Sequence, residues 1–210
     1  MSSIHLEILD KDRLEVFKQF AGLKSQGYLA GGTALALQIN HRKSYDFDFF
    51  ASKPISRIFQ KKVIDIFGGA RVVRQSGDQL TVTTATGVKL DFLHYWYKRI
   101  EPFISTPNMN LASVWDIACD KAMAVGQRAV WRDYVDIYFL LKGGYCDISK
   151  INALAKQKFG GAFNDALFLQ QLTYFDDLEM EKIEFIGKPI PNDTIKEFLR
   201  QKVKGVPLIV

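Results

Sequence analysis

The stretch that decides the fold opens as Tyr28-Leu29-Ala30-Gly31-Gly32-Thr33-Ala34-Leu35-Ala36-Leu37 and, after His41-Arg42-Lys43, runs on as Ser44-Tyr45-Asp46-Phe47-Asp48-Phe49-Phe50. The first part reads as a short strand, a glycine turn and a helix of good helix formers, with Thr33 its expected N-cap. The second part alternates carboxylate and aromatic. On a strand, Asp46 and Asp48 then share one face while Tyr45, Phe47 and Phe49 share the other, which predicts a buried aromatic face and an acidic face turned to water or to a ligand.

Outward from this centre, Asp10 is placed to cap a helix whose apolar residues recur at three- and four-residue steps until Gly27. Pro54 opens a second predicted helix through Phe67, ended by Gly68-Gly69. Strands are predicted over 70–74, 79–85 and 88–95, separated by turn signals at Ser76-Gly77-Asp78 and Thr86-Gly87. On the last of them Val88, Leu90 and Phe92 face one way, Lys89 and Asp91 the other. From about residue 106 the pattern turns mostly helical. Ser113 is expected to cap a helix to about Arg128, a second spans Trp131 to Lys142 before Gly143-Gly144, and shorter ones fall near 148–158, 162–175 and 192–204. Two parts follow: residues 1–105 with the strands, and 106–210 with the helices.

The 210 residues are 48% hydrophobic and 24% charged, which excludes a disordered, collagen-like or coiled-coil chain. The formal charge is +5, and all of the excess lies in the first part: residues 1–105 hold 15 basic and 10 acidic side chains, residues 106–210 hold 13 of each. That balance suits an anionic partner such as RNA or a nucleotide. Cys119 and Cys146 stand in no ligand-like spacing, so a reducing, cytoplasmic setting is expected, with neither a zinc site nor a disulfide framework. The N-terminus lacks the features of a signal peptide and no apolar run is long enough for a bilayer, so a soluble protein without a membrane partner is expected.

Asp46, Asp48 and Asp91 carry the chemistry. Three carboxylates converging from two strands repel one another, and a bound divalent cation is the natural remedy. Magnesium suits such a site, because it takes oxygen ligands and keeps positions for water and phosphate oxygens. Gly31 and Gly32 allow close backbone approach, and the following helix offers its N-terminal N–H groups to a phosphate. Together these parts describe a nucleoside triphosphate held over one or two metal ions. Each alone has a plainer reading: a turn, a solvated sheet face, an outward polar residue.

Further along, Lys121 and Arg128 are seven residues apart, so both can lie on one helix face, as triphosphate ligands or merely as solvated cations. Arg132 and Asp136 are spaced for an internal ion pair, as are Asp133 and Asp136 for one helix face. His41, Arg42 and Lys43 suit either nucleotide contact or balance of the nearby carboxylates. Tyr95-Trp96-Tyr97 before Lys98-Arg99 could stack on bases, but core packing at a strand end is the stronger reading. His94 reads as a core or edge histidine.

The run from Gly31 to Leu37, then His41-Arg42-Lys43-Ser44, then Asp46-Phe47-Asp48-Phe49-Phe50, closely resembles the abortive-infection AbiEii/AbiGii toxin family of nucleotidyltransferases. Lys121-Ala122-Met123-Ala124 and Arg132-Asp133-Tyr134-Val135-Asp136-Ile137-Tyr138 resemble that family's later Lys and Arg/Lys-Asp-x-x-Asp motifs, so that the likeness covers about residues 28–141. It implies an α+β fold: a polymerase-beta-like nucleotidyltransferase core, a mixed sheet flanked by helices, and then an α-helical domain completing the nucleotide cleft. It implies an Mg²⁺- or Mn²⁺-dependent transfer from an NTP to an RNA acceptor, tRNA first, by in-line attack at the α-phosphorus with release of pyrophosphate. Such a protein is the toxin of a two-gene system, with a cognate antitoxin as a partner.

Carried over by residue, Gly31, Gly32 and Thr33 would line the triphosphate. Asp46, Asp48 and Asp91 would bind one or two metal ions, Asp91 also favouring deprotonation of the acceptor. Lys121 and Arg128 would bind the triphosphate tail, and Asp133, supported by Asp136, would face the active site. The region after residue 142 is shorter than that family's usual helical part. Transfer to a protein hydroxyl is the nearest variant. A non-catalytic nucleotide-sensing module is the competing class, and an Asp-x-Asp glycosyltransferase explains neither the length nor Asp91.

Overall fold

Phe47 and Phe49 are fully buried in the computed structural model of the chain, which describes residues 4–128 and 130–206. Their rings close on Phe20 at centroid distances of 5.5 and 6.0 Å, and Phe67 and Phe92 join the same cluster at 5.1 and 6.3 Å from Phe20. Burial of such rings contributes more than any other part of a core this size. It also fixes which face of the acidic strand turns inward.

Seven strands form one mixed sheet: β1 (Gly27–Ala30), β2 (Phe47–Ala51), β3 (Arg71–Gln75), β4 (Gln79–Thr83), β5 (Lys89–His94), β6 (Ile104–Ser105) and β7 (Asn110–Leu111), in the order β3-β4-β5-β2-β1-β7-β6. The β2–β5 and β1–β7 pairs are parallel and the remaining pairs antiparallel, with a register slip in β3 between Val72 and Arg74. The two-residue strands β6 and β7 have no counterpart among the predicted strands, because so short a hairpin carries no periodicity.

Helices α1 (Lys11–Gln19), α2 (Gly31–Ile39) and α3 (Arg57–Ile66) accompany the sheet. Asp10 caps α1 as predicted, its side chain accepting the Arg13 N–H at 2.9 Å. Two expected caps are corrected. Helix α2 begins at Gly31 with Ala30 at its N-cap, so Thr33 lies inside the first turn, and its hydroxyl donates instead to the Asp46 carbonyl. Helix α3 is capped by Ser56, which accepts the Phe59 N–H at 3.1 Å, and therefore starts after Pro54 rather than at it.

The chain divides into two compact units. The first runs through Tyr97 and includes Pro102–Ser113; the second comprises Lys98–Glu101 and the chain from Val114. The second unit holds α4 (Val114–Val125), α5 (Trp131–Lys142), α6 (Ile148–Phe159), α7 (Asp165–Gln171) and α8 (Asn192–Lys204). The Asp116 carboxylate explains why 98–101 join it: it accepts the Ile100 and Glu101 N–H groups at 2.9 and 3.1 Å. Lys158, almost wholly buried, reaches Asp116 at 3.1 Å and Asp120 at 2.7 Å and completes an internal ion cluster.

Cys119 on α4 and Cys146, just before α6, are both buried free thiols, and burial pushes each up to about 12. Among the described residues, no helix is long and apolar enough to cross a membrane.

Candidate functional site

The buried aromatic face of β2 leaves Asp48 on the opposite face, and the parallel register sets it directly beside Asp91 of β5. Ala30, the last residue before the glycine turn, is its partner on the other side. Gly31 has φ +66, and a Cβ built there would meet the Asp48 Oδ2 at 2.0 Å. Only glycine permits both that backbone angle and that approach. The strand-turn-helix unit is therefore shaped around the Asp48 carboxylate.

Asp91 is held on both oxygens. Thr81, its register partner on β4, donates its hydroxyl to Oδ1 at 2.5 Å, and Lys89 Nζ lies 2.6 Å from Oδ2. The hydrogen bond to Asp91 holds the Lys89 ammonium above the ordinary lysine range against the opposing effect of its burial, with the charges of Asp91, Asp46 and Asp48 adding to it. Asp46 precedes β2 rather than lying on it, so the strict alternation expected from residue 45 begins only at Phe47. Tyr45 accordingly does not join the buried face but lies exposed under the Arg13 guanidinium at 4.7 Å.

Among the described residues, no three His, Cys, Asp or Glu side chains are gathered tightly enough to form a ready metal cage. The donor set nonetheless fits a hard divalent cation: oxygen ligands only, two of them in register on one face, and a glycine cradle against one carboxylate.

Around the turn, His41 and Arg42 are buried, and Arg42 donates to the Lys43 carbonyl at 2.9 Å. A Cβ at Gly32 would come within 2.6 Å of the Arg42 Nη2, so the second glycine makes room for this guanidinium. Lys43 is exposed.

In the helical unit, Lys121 bridges two buried carboxylates, Asp133 at 2.6 Å and Asp136 at 2.7 Å. Arg128 lies beyond the end of α4, and its Nε and Nη2 each stand 3.2 Å from the second Asp133 oxygen. The two cations therefore converge on Asp133 although they do not share a helix. The expected Arg132–Asp136 pair is not the one made: Asp136 serves Lys121, and Arg132 reaches Glu181 at 3.0 Å. A fully buried carboxylate demands the buried ammonium more strongly than an exposed guanidinium.

Of the remaining sequence candidates, His94 sits at the sheet rim, 3.2 Å from Asp78. Tyr95 stacks on Phe50 at 4.1 Å, whereas Trp96 is 65% exposed. Thr81 and Lys89 were not singled out by the sequence reading. Lys89 carried a signal, since it shares a strand face with Asp91; Thr81 became visible only through the β4–β5 register.

The family described as "Nucleotidyl transferase AbiEii toxin, Type IV TA system" matches residues 16–208. A protein of Aquifex aeolicus (strain VF5) described as uncharacterized is 33% identical over 206 residues, covering 93% of this chain and 96% of that protein. Among solved structures, a candidate nucleotidyltransferase from H. pylori superposes with a TM-score of 0.58 at 16% identity, covering 93% of this chain and 95% of that one. MenT4, a nucleotidyltransferase toxin from Mycobacterium tuberculosis H37Rv, gives a TM-score of 0.58 at 15% identity, covering 95% and 87%. The fold is thus the polymerase-beta-like nucleotidyltransferase fold, a mixed sheet with flanking helices followed by a helical C-terminal part.

Proposed function

Because the chain belongs to the AbiEii family of nucleotidyltransferases, toxins of type IV toxin–antitoxin systems, we propose that it transfers a nucleotide from an NTP to an RNA end, tRNA first, releasing pyrophosphate and blocking translation. The observation that carries this reading is the Asp48–Asp91 register beside a turn that only glycine can occupy. The basic excess of residues 1–105 supports a polyanionic acceptor. A cytoplasmic site of action and a cognate antitoxin belong to the same reading.

Asp46, Asp48 and Asp91 would hold one or two Mg²⁺ or Mn²⁺ ions. Bound there, such an ion supplies Lewis-acid stabilisation of phosphate charge and lowers the pKa of the attacking hydroxyl. Gly31 and Gly32 let the Asp48 carboxylate and the Arg42 guanidinium lie against the turn, beside the backbone N–H groups at the start of α2 that would take phosphate oxygens. Thr33 ties that turn to Asp46 through its hydrogen bond. Thr81 aims the Asp91 carboxylate, which favours removal of the acceptor proton. Within the helical unit, Asp133 orients Lys121 and Arg128, the two cations that would bind nucleotide phosphates.

The test incubates the full chain and Mg²⁺ with each α-³²P-labelled NTP, total tRNA and cell lysate. Label on RNA supports the proposal, and label on protein moves the acceptor to a protein hydroxyl. Folded protein that binds NTP without transferring it is a sensing module instead. Asp48→Asn is the control, and undiminished transfer by it would overturn the metal-site assignment.

A further inference from the structure

Both oxygens of Asp91 are engaged within the chain, Oδ1 by the Thr81 hydroxyl at 2.5 Å and Oδ2 by the Lys89 ammonium at 2.6 Å. Lys89 stands two residues before Asp91 on β5, so both side chains leave the sheet from one face. The parallel register pairs Asp91 with Asp48, so the Lys89 side chain shares its face with both carboxylates. Asp46 and Asp48 add their attraction to that of Asp91 at its ammonium. The Lys89 ammonium thus stands among carboxylates that repel one another.

The two partners differ in freedom. The Lys89 side chain is 47% exposed and that of Asp91 only 13%. Lysine is a point charge on a flexible stem, able to swing into water without opening the core. Asp91 is fixed by Thr81 and by its strand neighbours. When a second cation arrives, the lysine is the group that moves.

We propose that Lys89 is the resident counter-ion of this acidic centre, holding Asp91 while no metal is bound and giving up its Oδ2 when a divalent cation enters. The proposal rests on the assignment of Asp46, Asp48 and Asp91 as the metal-binding set. Loading is then an exchange of one cation for another, and the lysine lowers the apparent metal affinity. It also offsets part of the repulsion across the strand pair before loading.

The experiment uses the full chain stripped of metal, as wild type, Lys89→Met and Lys89→Arg. MgCl2 binding is followed by calorimetry, MnCl2 binding by electron paramagnetic resonance, and folding by far-UV circular dichroism. Lys89→Met is expected to bind both ions about 5-fold more tightly, the equivalent of one solvent-accessible ion pair. Lys89→Arg stays near wild type. The Met variant also melts lower without metal and gains more in Tm when Mg²⁺ is added. Equal or weaker binding by Lys89→Met overturns the counter-ion role while leaving the metal site standing. Absence of binding by all three proteins removes the metal assignment, and this proposal with it.

Discussion

Asp48 and Asp91 are directly opposed across the parallel β2–β5 pair, one step from the buried Phe47 and Phe49 that fix the register. A one-residue slip of β2 would bury Asp48 and expose both rings, so the core specifies the acidic face. Asp48→Asn and Asp91→Asn should each keep the fold and lower transfer by more than about 10²-fold. Loss of an outer partner of a metal ligand already costs about 10- to 100-fold, and loss of the ligand itself costs more. Rates at saturating Mg²⁺, with circular dichroism as the control, check this.

Gly31→Ala places a Cβ at 2.0 Å from the Asp48 Oδ2 on a backbone with φ +66. The left-handed conformation alone costs about 1–2 kcal/mol. Displacement of a reacting group by about an ångström costs about 10²-fold in rate. A lowered urea midpoint together with a kcat loss of that size is the expected outcome, and wild-type activity would sink the idea that this turn is shaped around Asp48.

Thr81→Val removes the hydroxyl that Asp91 Oδ1 accepts while keeping the volume. Transfer is expected to fall about 10- to 100-fold. Thr81→Ser should restore most of it, because the hydroxyl and not the methyl aims the carboxylate. A Ser variant as impaired as Val would point to packing alone.

Lys121→Ala and Arg128→Ala should separate stability from activity. Lys121 is the buried partner of Asp133 and Asp136, whose side chains are 2% and 0% exposed, and its removal takes the buried ammonium from both. Breaking a buried pair costs about 3–5 kcal/mol. Arg128 has a 63% exposed side chain, and its loss costs at most about 1 kcal/mol. Urea melts should therefore shift strongly for Lys121→Ala and little for Arg128→Ala, so an activity loss in the Arg128 variant reports on nucleotide binding.

Much of this was legible in the sequence, and the reason is period two. Phe47, Asp48 and Phe49 alternate so clearly that burial of the rings dictates where the carboxylate points. The end of the helix at Lys142 was readable because its apolar pattern stops at a glycine pair. What escaped were choices between local partners. Thr33 could cap a helix, but a glycine at positive φ let the helix begin three residues earlier, and the hydroxyl found the Asp46 carbonyl. Arg132 was well spaced for Asp136, but a buried ammonium twelve residues before Asp133 outcompeted it. Lys89 stood in plain view beside Asp91, yet only the structure showed that its ammonium reaches the Asp91 carboxylate.

The two buried thiols of the helical unit supply a chemical clock. With both thiols pushed up to about 12, almost no thiolate exists at neutral pH, and an alkylating reagent meets neither sulfur in the closed protein. Labelling must wait for α4 and the segment before α6 to open. Because both cysteines belong to one compact unit, the alkylation rate reports the breathing of the helices alone, separately from any loosening of the sheet. The same measurement on protein given NTP would reveal whether the nucleotide stiffens that half of the chain.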